Sequence, residues 1–585
     1  MTAGHSPVDL RPRHEVETPE HVTLRYEVAG LGSRAMAAVV DHAILFFLIL
    51  GLGTLSDILP GGDLLQVLGG FLLIWGYFTG FEAWWQGHTP GKRWLGVRVV
   101  LNDGRPVGFE AAALRNVVRV ADFFLPPPYI AGMVAIFFHP QAKRLGDMVA
   151  GTLVVRDAPE PVARREPSVV VPRAAALATP SLTARLTPDE YEVLGEFVAR
   201  TEGLEFESAM RLAAGLAGRF APRFPDRPTD SLEFLKRLHV EEQERRAGGR
   251  GGTVSEMAAL RLAARQEERW RRFATLADLA ARRGLDSFSA DQLPDFAARY
   301  REVAADLARL RTYRAPAALL ARVERLAAAG HNALYRRNER PWSRLGPILL
   351  REAPAAVVRS WRLVALAVTL LVATSAAGYA TLRERPGLAE EVIPPVMLER
   401  AASAHRRTEQ GLTYVEAEAK EAPALAGFLM THNIGVAFNC FAGGILLGVG
   451  ALILLGSNGL SLGAMFGHFV NVGAGWYLGS FILGHGILEL FAICVAAAAG
   501  FRLGRALWSP GDLTRSDALM LEGRVSLRML GFVMVLLVIA GTIEGLASAT
   551  GASLIYRAGL ASASAVFLVL YLVNGARWAT RTDAP

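Results

Sequence analysis

The chain has 585 residues, of which 52% are apolar and 20% charged, with a formal net charge of +7. It is too long for one hydrophobic core and too apolar for a single water-soluble domain. Residues 422–501 carry one formal charge, Glu489, so the chain reads as an all-α polytopic membrane protein whose first partner is the lipid bilayer.

Lysine occurs only at positions 92, 143, 236 and 420, so the positive charge is almost all arginine. No aromatic-interleaved basic module accompanies it, which excludes a nucleic-acid partner and leaves a surface facing anionic lipid. Cys440 and Cys494 both lie in apolar runs, so neither a disulfide framework nor a cysteine zinc cluster is expected. Residues 1–23 form a polar tail without the charged-then-apolar design of a cleavable signal peptide.

The first apolar run is Ala35–Leu59 and the second Leu64–Gln86, joined by Pro60-Gly61-Gly62. They predict a helical hairpin. Basic residues precede and follow it (Arg25 and Arg34, then Lys92, Arg93 and Arg98), which puts both ends in the cytoplasm. Gly96–Leu101 and Gly151–Arg156 are short β-branched runs that predict a pair of strands, so the segment between them must enter and return on one side. Pro126-Pro127-Pro128 breaks that segment into pieces of about 16 and 11 residues, each short of the roughly 20 needed to cross. A re-entrant or tilted hairpin is expected there.

Residues 158–186 read as a Pro- and Arg-rich linker. Thr187 with Glu190 makes a capping-box start for a helical stretch to about Phe220, with Leu194, Phe197, Leu212 and Leu216 as its apolar stripe. Ser231–Arg246 resumes the helix, and the glycine run 248–252 closes it. Val254–Arg282, Ala290–Arg311 and Pro316–Arg337 predict three amphipathic helices of a cytoplasmic bundle.

Leu363–Leu382 is a clean span entered from the inside, which places residues 383–421, with eight acids and six bases, outside. Then come Phe428–Leu455, a tight turn at Gly456-Ser457-Asn458-Gly459, a short crossing Leu460–Val472, and spans over Gly479–Phe501, Met529–Ala549 and Ala558–Ala576. Counting the short crossing keeps Arg502, Arg505, Arg515, Arg524 and Arg528 inside, together with the tail 577–585. The Gly443, Gly444 and Gly448 run reads as a small-residue face for close helix packing.

Residues 24–156 resemble the RDD family of bacterial membrane domains. The resemblance rests on Gly32-Ser33-Arg34, Asp41, Thr89-Pro90-Gly91-Lys92-Arg93, Arg115-Asn116 and Arg144-Leu145-Gly146-Asp147. Residues from about 257 to 576 resemble the stage II sporulation protein M family, through Thr431-His432-Asn433-Ile434, the Asn458–Gly463 stretch and Gly484-His485-Gly486-Ile487-Leu488-Glu489. Trp270, Tyr300-Arg301, Asp306-Leu307-Ala308, His331 and Tyr335 carry its lead-in. The resemblance implies a bacterial inner-membrane protein with envelope proteins and a soluble cytoplasmic partner, of which a MoxR-type ATPase is one form. It implies no catalytic mechanism, cofactor or metal.

Arg34 and Asp41 are two helical turns apart on one face. A charge at membrane depth needs a partner or water. For Asp41 the expected partner is Arg115 or Arg119, and a proton or cation site is the alternative. Asp147, after Lys143 and Arg144, reads as a cap or loop ion pair at the cytoplasmic surface. His485 and Glu489 stand at i,i+4, with Glu489 near the middle of its span. Glu544 is the other isolated acid, and His432, Asn433 and His468 are candidate neighbours. Together they are a hydrogen-bonded cluster, an ion-coupled conduit or a metal or hydrolytic centre.

The domains expected are a tail (1–23), a first membrane domain (24–157), the linker (158–186), two cytoplasmic helical segments (187–253 and 254–360), a second membrane domain (361–576) and a tail (577–585). Both termini and residues 158–360 are expected in the cytoplasm. The function expected first is a non-catalytic scaffold in an envelope assembly or remodelling complex. An ion- or proton-coupled permease is the alternative, and an intramembrane metal-dependent enzyme the third.

Overall fold

The computed structural model describes residues 13–19, 23–123, 130–156, 186, 188–200, 206–220, 224, 230–249, 254–335, 345–410, 422–544 and 553–581. The triple-proline break, the cap at Thr187 and all of the linker but Leu186 lie outside them. Two compact units divide the chain. One comprises Met1–Thr18, Thr23–Pro159 and Tyr335–Pro585, the other Pro19–Val22 and Glu160–Leu334. Among the described residues, eight helices are long and apolar enough to cross a membrane.

The first unit opens with a hairpin that the tail composition gave no hint of: β1 (Arg13–Glu17) pairs antiparallel with β2 (Thr23–Glu27). Helices α1 (Leu31–Ile58) and α2 (Gly62–Trp84) form the expected helical hairpin, turning at Gly61, whose φ of +71° suits glycine. After the short α3 (Pro90–Trp94), strand β3 (Val97–Leu101) runs out to α4 (Phe109–Val118), followed by a 3-10 turn over Arg119–Phe123 and α5 (Ile130–Phe138). Neither α4 nor α5 reaches crossing length. Helix α6 (Leu145–Ala150) leads into β4 (Thr152–Arg156), which pairs antiparallel with β3, Val97 facing Arg156 and Leu101 facing Thr152. A bridge between Val28 and Val155 ties β2 to this pair.

The second unit is helical. Helices α7 (Pro188–Arg200), α8 (Phe206–Phe220) and α9 (Ser231–Gly249) close over Leu194, Ala213, Phe220, Leu235 and Leu238, so the one stretch expected before Phe220 is two helices. Helices α10 (Val254–Arg283), α11 (Gln292–Thr312) and α12 (Ala317–Leu334) bury Trp270, Phe273, Phe296, Tyr300 and Val323. Their polar members are paired inside: Trp270 Nε1 donates to Asp306 Oδ2 at 3.1 Å, and Tyr300 Oη lies 3.4 Å from His331 Nδ1.

The first unit resumes with a π-helical turn and α13 (Ala353–Arg359), which docks on the last span: Tyr571 Oη donates to the Leu349 carbonyl, and Arg351 stacks on Trp578. Then come α14 (Trp361–Glu384), α15 (Pro395–Glu409), α16 (Ala422–Gly443) and α17 (Val449–Asn471). The break falls at Leu447 and Gly448, both with positive φ, so α17 is a full crossing. Neither a turn at 456–459 nor a short crossing from Leu460 is present. Gly456-Ser457-Asn458-Gly459 has the composition of a turn, but Gly459 and Gly463 are where α17 meets α14. A Cβ on Gly459 would run into Thr374, and one on Gly463 into the Ser375 carbonyl.

Gly443, Gly444 and Gly448 therefore lie at the end of α16 and in the following turn rather than along one helix face. A Cβ on Gly443 would still come within 2.8 Å of the Gly450 backbone, and Gly444 abuts Gly500. Helices α18 (Gly475–Ile482), α19 (Gly486–Trp508), α20 (Arg515–Ile543) and α21 (Leu554–Arg581) complete the bundle. The two membrane modules share one core, in which Leu114, Val118 and Val149 pack with Ala437, Phe441 and Leu519, and Trp75 meets Phe438 edge-on at 4.7 Å.

Candidate functional site

The strongest site is built where α19 begins and α20 ends. The chain breaks after α18, so His485 is the N-cap of α19 and Glu489 lies in its first turn, not at mid-span. Glu544 directly follows the last residue of α20. Both acids thus sit at one end of the bundle, away from Arg515 at the start of α20. His485 Nε2 is 3.9 Å from Glu489 Oε2 and 3.6 Å from Glu544 Oε1, and one ligand atom from each residue lies within 4.8 Å of the others. The two carboxyls are near enough to share one proton. Two ionised carboxylates at that range repel, and a shared proton removes the repulsion.

Asn433 Nδ2 donates to Glu489 Oε1 at 2.9 Å, orienting that acid from α16. His432 faces outward and stacks on Phe428, and no contact joins His468 to the cluster, so these two expected neighbours stand apart. Arg400 and Arg557, which the sequence reading passed over, both act electrostatically on His485. Arg557 is buried at the start of α21, and Arg400 reaches in from α15 to stack on Phe481, whose ring lies 5.2 Å from that of His485. Phe481 roofs the histidine. The His-Glu-Glu donor set matches three-ligand zinc sites in type. The two nearby arginines supply positive charge of their own, which disfavours a divalent ion between the acids.

A second polar cluster holds the N-terminal module together. Asp41 accepts from Tyr77 Oη at 3.1 Å, Thr89 Oγ1 at 2.5 Å and the Gly91 N–H at 2.8 Å. These are neutral donors, so the expected ion pair of Asp41 with Arg115 or Arg119 is not formed. Gly91 can donate because it has no side chain: a Cβ there would strike the Ala37 carbonyl and the Asp41 carboxyl.

The ion pairs instead run through Asp147 and Glu82. Asp147 meets Arg34 at 2.6 Å and Arg115 at 3.1 Å, while Arg115 meets Glu82 at 3.2 Å and Lys92 Nζ also reaches Glu82. Asp147 caps α6 by accepting from the Arg144 N–H at 3.1 Å, but it is only 1% exposed, not a surface residue. Burial alone would push its carboxyl up, yet Arg115 and Arg34 outweigh that and hold it well below the usual carboxylate range. Burial, only partly offset by Glu82, pulls Lys92 down to about 8.

Residues 28–151 match the model described as RDD family, and residues 364–549 that described as Stage II sporulation protein M. The chain carries an RDD domain followed by a stage II sporulation protein M domain. The lead-in residues around Trp270, Asp306 and His331 fall in a separate match, residues 261–336 to "Domain of unknown function (DUF8413)". The chain is also similar, over 136 residues at 28% identity, to the uncharacterized protein YckC of Bacillus subtilis (strain 168), covering 23% of this chain and 88% of that protein. No solved structure matches. The Glu489–Glu544 cluster lies in the stage II sporulation protein M domain, and the Asp147–Glu82 network in the RDD domain.

Proposed function

We propose that this chain is a proton-coupled carrier of the bacterial inner membrane, with His485, Glu489 and Glu544 as the group that takes up and releases the proton. The observation that carries the reading is the approach of two acids from separate spans, with an imidazole within 4 Å of both. Such a group has two arrangements, proton held and proton lost, and a bundle end that packs around it responds to the difference. Both termini and residues 158–360 are cytoplasmic in this reading, because Arg502, Arg505, Arg515, Arg524 and Arg528 gather at the opposite end of the bundle. The proton site then lies at the outer end of the bundle.

The test is a flux measurement on the full chain in proteoliposomes loaded with a pH-sensitive dye. Imposed sodium, potassium or magnesium gradients are expected to move protons in wild type, with the rate lost in Glu489→Gln, which keeps shape and hydrogen bonding but cannot titrate. Wild-type liposomes no leakier to protons than empty ones, or a Glu489→Gln rate equal to wild type, would end this reading. The scaffold reading has its own support in the continuous core joining the two membrane domains, which suits a rigid platform for envelope partners. Proteins that co-purify with Glu489→Gln as well as with wild type, together with absent flux, would favour it.

A further inference from the structure

A cavity in the RDD domain is lined by Arg34, Arg119, Arg144 and Asp122, with Phe78 and Ala38 beside them. Two of these guanidiniums are engaged. Arg34 binds Asp147 and the Ala142 carbonyl, and Arg119 lies 3.7 Å above the Phe78 ring and 3.1 Å from His42 Nε2. Arg144 differs: among the described residues its guanidinium makes no hydrogen bond or ion pair, although it lies in the cavity wall. Burial, reinforced by the like charges of Arg34 and Arg119, pulls it down to about 10.

Across the same cavity Asp122 is 1% exposed, and its Oδ1 has no hydrogen-bond partner. Gly132 packs against this carboxyl, and a Cβ there would come within 2.7 Å of it. Burial pushes Asp122 up to about 6, against the pull of Arg144 and Arg119. A buried acceptor without a donor is costly. Here it lies beside donors without an acceptor, and the two do not pair directly. What satisfies both is a group that accepts from guanidinium and donates to carboxylate. The cavity wall also holds one more basic residue than acidic, leaving room for an anion.

We propose that this cavity binds a singly protonated phosphate group, with Arg144 and Arg119 holding its oxygens and Asp122 accepting its P–OH hydrogen. Sulfate, with the same shape but no proton at neutral pH, meets Asp122 as an unpaired repulsion. The chemistry is shared by inorganic phosphate and by the headgroup of a phosphomonoester lipid such as phosphatidic acid. The inference does not depend on the proton site at Glu489.

The experiment uses the full chain in detergent with radiolabelled orthophosphate, and the chain in phosphatidylcholine nanodiscs with and without phosphatidic acid, read by bound label and by native mass spectrometry. Free phosphate bound in detergent identifies the soluble ion, and retention of phosphatidic acid alone identifies the lipid. Sulfate is expected to compete at least about tenfold less well than phosphate, and Arg144→Gln to weaken binding about tenfold or more. Asp122→Asn is expected to bind but to lose the discrimination against sulfate. Arg144→Gln removes no side-chain hydrogen bond or ion pair among the described residues, so its elution volume and melting temperature should stay close to wild type and keep the comparison readable. Failure of folded wild type to bind either ligand at millimolar concentration, unchanged binding in Arg144→Gln, or retained discrimination in Asp122→Asn would each overturn the proposal.

Discussion

Asp41 and Asp147 are both buried in the RDD domain, yet their replacement by asparagine has unequal consequences. Asp147→Asn removes the negative charge between Arg34 and Arg115, which stand 2.6 and 3.1 Å away. Breaking a buried pair by deleting one partner costs about 3–5 kcal/mol, because the cations stay behind in a low-dielectric site. With Asp147 1% exposed, no solvent screening reduces that figure. Asp41→Asn leaves no cation stranded. Its remaining carbonyl oxygen can accept from Tyr77 and Gly91, and Thr89 can turn its hydroxyl to accept from the new amide, so the loss is about 1–2 kcal/mol. At about 2–4 °C per kcal/mol for a unit of this size, Asp147→Asn should lower the melting temperature of the purified chain at least twice as far as Asp41→Asn. Tryptophan fluorescence during heating in detergent reads both. Since the folded Asp147 titrates below the unfolded carboxyl, its stabilisation is fully present above about pH 5 and fades only as pH falls towards its folded value. The gap between wild type and Asp147→Asn should therefore be constant from pH 6 to 8. An Asp41→Asn variant as unstable as Asp147→Asn would refute this assignment of charge.

Lys92 carries a pH dependence of the same sign in a higher window. Its folded value of about 8 lies below that of an unfolded lysine, so the folded state sheds the proton first and gains stability as pH rises from about 8 to 10. Melting curves of wild type should rise over that window by up to about 3 kcal/mol relative to Lys92→Met, and a flat difference would show the amine to be solvated. The orientation is checked by Ala328→Cys and Gly411→Cys in a background lacking Cys440 and Cys494. An impermeant maleimide on intact cells should label the second and spare the first, and the reverse pattern would invert the whole topology.

Hydropathy made the spans legible and β-branched runs made strands β3 and β4 legible, because each element is written in its own neighbouring residues. The α16–α17 turn was not legible, since Gly459 and Gly463 have turn composition but serve close approach to Ser375 and Thr374, more than eighty residues earlier. The partner of Asp41 was hidden for another reason. Charge counting finds arginines, whereas the true donors are a tyrosine, a threonine and a backbone N–H, none of which carries a signature of the role. Glu82 was visible as an acid in the second span, and only the fold shows that it, not Asp41, shares Arg115 with Asp147. His485 and Glu489 were aligned by helical spacing. Glu544, Arg557 and Arg400 come from other segments, and tertiary packing alone brings them there.

The two polar clusters divide the work between the domains. An acid held by two guanidiniums and a backbone N–H, as Asp147 is, keeps its charge across the whole physiological range and so cannot cycle a proton. Its network binds α1, α4 and α6 into one rigid block, and α4 and α6 in turn pack on α20 through Leu114 and Val149, close to Gly523. Helix α20 runs from that contact to Glu544 at its far end. In the proposed carrier, a change of proton occupancy at Glu489 and Glu544 would act on a helix whose other end is clamped by the RDD domain. In that carrier the response would fall at the end of the bundle where α18, α19 and α21 surround His485. Weakening the clamp with Asp147→Asn should therefore reduce proton flux even though Asp147 touches none of the residues that carry the proton.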